Sequence, residues 1–61
     1  MTAGRSDLVD IAAELRAETP KAWLVFDGAI EVWLPKSQVE RDEDAGTFAM
    51  PEWLAVAKGL V

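Results

Sequence analysis

The feature that most constrains this chain is the pair Asp27-Gly28, set inside KAWLVFDGAIEVWL between two short runs rich in Val, Ile, Phe and Trp. Asp and Gly tolerate the positive φ of a tight turn, and apolar runs flanking such a pair are the strongest short-range hairpin cue. Two strands are expected, at about 21–27 and 29–34. Their register stays open. A two-residue turn pairs Phe26 with Ala29 and gathers Trp23, Val25, Ile30, Val32 and Leu34 on one face, with Ala22, Leu24, Phe26, Glu31 and Trp33 on the other. A three-residue turn puts Ala22, Leu24, Phe26, Ile30, Val32 and Leu34 together, because one residue of slip exchanges one strand's faces. In both cases the second face keeps apolar side chains, so another element or another protein has to cover it.

At 61 residues the chain reads as one small domain, with residues 1–5 loose. A chain this short buries only about 60% of its unfolded surface, and domains of this size usually add disulfides, a metal or a partner subunit. With no Cys and no His, a disulfide is impossible and a zinc site is disfavoured. Self-association or docking on a larger complex is left as support. Eleven acids against six bases give a net charge of −5. Direct binding to nucleic acid or an anionic membrane is disfavoured by that balance, and a basic partner fits it. No leader pattern and no apolar run of roughly 18 residues is visible, which with the lack of cysteine points to a cytoplasmic protein.

Ahead of the hairpin, Leu8, Ile11, Ala12 and Leu15 fall at i, i+3, i+4 and i+7 within DLVDIAAELRAE, a run rich in helix formers that Pro20 ends. A helix is expected over about 7–18. After the hairpin, Pro35-Lys36-Ser37 reads as a turn into a short strand at 38–41, and Asp44-Ala45-Gly46 as a second hairpin turn before a strand at 47–50. Pro51 suits the first position of a closing helix, with Gly59 as its left-handed cap. The expected fold class is therefore α+β: an N-terminal helix, a four-stranded antiparallel sheet of two hairpins, and a short C-terminal helix. Its expected core is Leu8, Ile11, Leu15, Leu24, Phe26, Ile30, Val32, Leu34, Phe48 and Leu54.

The segments AWLVFDGAIEVWLPKSQVE and GTFAMPEWLAVAKGL, covering roughly residues 21–61, resemble a module of small uncharacterised bacteriophage and prophage proteins. Those carry an aromatic-Leu/Ile-Pro-Lys-Ser-Gln-Val/Ile-Glu stretch, a turn, and a Pro-Glu-Trp-Leu-Ala helix ending in Lys-Gly-Leu. The resemblance implies origin in a mobile element and a small sheet-plus-helix fold, and it attaches no reaction. By size, acidity and lack of cysteine alone, the chain also resembles anti-CRISPR inhibitors as a class.

Three sets of side chains are candidates for function. On the expected first helix, Asp7, Asp10, Glu14 and Glu18 would form a ladder of carboxylates about 5 to 6 Å apart along the axis. Such a ladder reads either as a solvated helix face or as an imitation of a phosphate backbone. Glu40, Asp42, Glu43 and Asp44 form a second acidic patch beside the second turn, without the Asp-x-Asp-x-Asp-Gly pattern of a calcium loop. Trp23 and Trp33, near Lys21 and Lys36, suit core packing, a protein-binding hot spot, or a stacking platform for unpaired bases. Lys36 beside Ser37 lacks a second base, and the four glycines are isolated, so no nucleophile pair, phosphate loop or cofactor site is read and no enzyme is expected. The leading expectation is a non-enzymatic, phage-derived inhibitor that docks on a basic surface of a host nucleic-acid-binding complex, a CRISPR effector being one such complex. The alternative is a single-stranded nucleic-acid-binding accessory protein of phage replication or recombination.

Overall fold

The structure, a computed structural model, describes residues 8–61. Their order is β1 (Leu8–Ala12), β2 (Glu14–Glu18), β3 (Ala22–Phe26), β4 (Glu31–Pro35), β5 (Glu40–Asp42), β6 (Thr47–Pro51) and α1 (Glu52–Ala57). All pairings are antiparallel, and they form two three-stranded sheets, β1-β6-β5 and β2-β3-β4. This overturns both the expected N-terminal helix and the single four-stranded sheet.

The stretch expected as a helix is extended for a tertiary reason. Val9, Ile11, Ala13 and Leu15 alternate as well as any strand, and these are the positions that turn inward, whereas the helical stripe would have buried Leu8 (42% exposed) and the exposed Ala12. Interrupted only at Ala13, the run pairs with β6 over its first half and with β3 over its second. A helix here would satisfy only its own backbone; the strand satisfies one edge of each sheet and makes β6 and β3 central strands. Long-range pairing thereby overrides the local helix preference of Ala and Glu. At Arg16 a bulge interrupts the β2–β3 ladder, and its guanidinium turns onto the Phe26 ring, 4.6 Å from the centroid.

In the central hairpin Asp27 shapes the turn through its side chain. Its Oδ1 accepts from the Ala29 and Ile30 N–H groups at 2.8 and 2.9 Å, its own N–H donates to the Ile30 carbonyl at 3.1 Å, and Gly28 takes φ 104°. Phe26 consequently faces Glu31, so neither expected register is the observed one. The displacement from the two-residue turn is even, which preserves the faces of that alternative. Trp23, Val25, Val32 and Leu34 share the inner face, and Ala22, Leu24, Phe26, Glu31 and Trp33 the outer one.

The shared core of the two sheets is Ile11, Val25, Leu34, Val39, Phe48, Met50, Leu54 and Ala55. Of the expected core, Ile11, Leu34, Phe48 and Leu54 are buried, Leu15, Leu24, Phe26, Ile30 and Val32 are half-buried, and Leu8 is exposed because the outward side of β1 carries it. Helix α1 packs on β6 and β1. It ends in a Schellman cap, with the Gly59 N–H on the Val56 carbonyl, the Leu60 N–H on the Ala55 carbonyl, and Gly59 at φ 79°.

Candidate functional site

On the outer face of the β1-β6-β5 sheet, antiparallel register sets Asp10 and Glu40 on either side of Ala49, and Ala12 and Asp42 on either side of Thr47. Two interstrand steps separate Asp10 from Glu40, roughly 10 Å. Because the central strand offers only Ala49 and Thr47 between them, the face is concave. Its concavity of about 620 Å³ is lined by Asp10, Glu40, Arg41, Asp42, Glu43 and Asp44 over that small-residue floor. Five carboxylates against one guanidinium leave four negative charges there.

The turn beyond β5 is built by one of these acids. Asp42 Oδ1 accepts from the Asp44 and Ala45 N–H groups at 3.1 and 3.2 Å, and the Asp42 carbonyl accepts from Gly46 N–H at 2.9 Å. Arg41 Nη1 lies 3.1 Å from Glu43 Oε2. Asp42 thus holds the loop that carries Glu43 and Asp44, while Asp10 and Glu40 stand across the floor as the pair open to a ligand. Among the described residues no group of three or more acidic side chains is arranged to hold a metal ion.

The ladder expected on one helix is dispersed. Asp10 joins the second acidic patch, Glu14 lies on the other sheet 3.6 Å from Arg16, Glu18 pairs with Lys36, and Asp7 lies outside the described residues. Glu18 has its carboxyl held below the usual range, first by the Lys36 hydrogen bond and then by the Lys36 charge. The union of Asp10 with Glu40 and Asp42 was missed by sequence reasoning. Its only signal was the alternation at Val9, Ile11 and Ala13, which sends Asp10 outward beside a strand far away in sequence.

Trp23 and Trp33 point to opposite faces of their hairpin. Trp23 is half-buried, edge-on to Phe48 at 5.6 Å between centroids, with Lys36 Nζ 5.4 Å from its ring centre. Trp33 is 45% exposed on the outer face. They do not make one stacking platform. No helix among the described residues is long and apolar enough to cross a membrane. No family model, curated protein or solved structure matches this chain.

Proposed function

We infer that this is a non-enzymatic binding protein of phage or prophage origin that docks on a basic, nucleic-acid-binding surface of a host complex and inhibits it by competition, a CRISPR effector being one complex of that kind. The observation that carries the reading is the concave acidic face, where Asp10 and Glu40 flank Ala49 and the 42–45 turn adds further carboxylates. An Arg or Lys side chain of a partner fits between the two carboxylates, and charge concentrated on one face speeds encounter with a basic groove. Glu14 and Glu18 have no part in this, being tied to Arg16 and Lys36 on the other sheet. The alternative, binding of single strands through stacked tryptophans, is disfavoured by the opposite orientations of Trp23 and Trp33 and by the engagement of Lys36 with Glu18.

The test is capture of partners from bacterial lysate by the chain and by its Asp10→Asn, Glu40→Gln double variant, which leaves the turn-forming Asp42 in place. The captured partner is expected to bind nucleic acid, to be released by oligonucleotide and by salt, and to bind the variant several-fold more weakly, at about 0.2–1 kcal/mol per lost exposed pair. Capture that ignores both the substitutions and the oligonucleotide refutes the reading. Direct binding of a single-stranded oligonucleotide by the chain itself establishes the alternative.

A further inference from the structure

Among the described residues strand β4 lies at the edge of its sheet and pairs with β3 alone. The N–H of Lys36 donates to the Lys21 carbonyl and the N–H of Asp27 to the Ile30 carbonyl, which fixes the phase of the ladder. Residues 30, 32, 34 and 36 bond inward to β3, so the backbone groups of Glu31 and Trp33 face the open edge. Neither a lysine nor a bulge on β4 protects that edge; only Pro35 at its end lacks a donor. The same two residues send their side chains to the outer face, where Trp33 is 45% exposed beside its cross-strand neighbour Leu24 and, beyond it, Ala17.

We propose that the β4 edge is a self-association surface, where two copies of this chain pair antiparallel about Trp33 and join their sheets into one of six strands. An antiparallel strand pair is its own complement under a two-fold axis, so β4 needs nothing from a partner that it does not itself supply. Centred on Trp33, the two copies exchange reciprocal N–H to carbonyl bonds at that residue. Each Glu31 N–H then reaches the carbonyl of the partner's Pro35, so the missing proline donor falls at the rim. The two Trp33 side chains meet side by side on the outer face and cover the apolar strip running to Leu24.

Charge favours this face for a second copy. The charged side chains on the outer side of β2-β3-β4 are Glu14, Arg16 and Glu31, joined through Arg16 at 3.6 and 3.8 Å, whereas the concave acidic face lies on the far side of the shared core. Pairing at β4 therefore brings together surfaces that carry a net charge of only −1 each, against −4 on the acidic face, and leaves both acidic faces outward. A strip of this kind is at the low end of stable interfaces, below about 1,200 Å² in total, so dissociation is expected in the micromolar range.

Sedimentation equilibrium of the full chain from low micromolar to millimolar concentration is expected to show monomer and dimer only. In a synthetic chain with the Trp33 amide N-methylated, which deletes one outward donor, and in Trp33→Lys, association is expected to weaken at least tenfold. Amide exchange gives a reading on the unmodified chain: the Trp33 N–H should be slowed at high concentration and not at low concentration. A chain that stays monomeric throughout, a dimer that survives both changes, or a Trp33 amide whose exchange ignores concentration overturns the proposal.

Discussion

Replacing Leu34 by Ala takes three carbon atoms out of a side chain that is 0% exposed, opposite Trp23 on the inner face of the central hairpin. Transfer of those carbons alone is worth roughly 2.4 kcal/mol at about 0.8 kcal/mol each. The packed neighbours, Val25, Phe48 and Met50 among them, cannot fully close the space, so the total cost is about 2.7–5 kcal/mol. A chain of 61 residues holds only about 3–9 kcal/mol of stability, and each kcal/mol is worth about 4–8 °C in Tm. A fall of at least ~11 °C is expected, or outright unfolding. Leu24→Ala removes the same atoms from a half-buried position on the outer face, leaves no enclosed cavity, and should cost about 1.2 kcal/mol or less. Thermal and urea denaturation followed by circular dichroism at a few micromolar measures both. The observed register predicts a clear inequality, since an odd slip would put Leu24 and Leu34 on one face and make them equivalent. Equal losses, or a larger loss for Leu24→Ala, would contradict the pairing of Leu34 with Trp23 on the inner face.

Acid should destabilise the fold through two carboxyls that it holds below their ordinary values: Glu18, by Lys36, and Asp27, by the backbone N–H groups of Ile30 and then Ala29. A lowered folded-state pKa gives stability that is complete above the ordinary values of 4.5 and 3.8 and disappears as pH falls through the folded ones. The urea midpoint should therefore drop in that window, and less so in Glu18→Gln, Asp27→Asn; a midpoint that holds or rises with acid contradicts the assignment. Gly59→Ala should be more destabilising than Gly28→Ala, because both take positive φ but a Cβ at Gly59 also meets Ile30 Cδ1 at 3.3 Å while one at Gly28 meets nothing within 4 Å. The backbone part alone is about 1–2 kcal/mol, and paired urea titrations decide the order.

The parts legible in the sequence were those whose signals are local. Asp27-Gly28 announced a hairpin because the Asp side chain bonds the turn's own N–H groups, and Gly59 announced the end of the closing helix because the cap and its donors lie within one segment, whereas Pro51 stands one place before the helix, extended at the end of β6. Residues 8–18 were misread because Ile11 and Leu15 fit both a helical and an alternating pattern, and the deciding partners, Phe48 and Val25, lie on different sheets. Val39 and Met50 were absent from the expected core for the same reason: what buries them is the meeting of two sheets. The acidic site followed suit. Glu40 and Asp42 were recognisable as a patch by adjacency, but Asp10 could be added only by knowing that β1 lies beside β6.

The strand that bends at Ala13 also sets an order of assembly. Strands β2, β3 and β4 are consecutive and joined by short turns, so their sheet closes through small loops, whereas β1 reaches β6 only when Leu8 finds Pro51 near the other end of the chain. Closing that long loop is the entropically late step. Asp10 arrives across Ala49 from Glu40 in that same step, so the proposed recognition surface is complete only when folding is complete. By mass action, a partner that grips both carboxylates would act as a clasp on the chain's most distant contact.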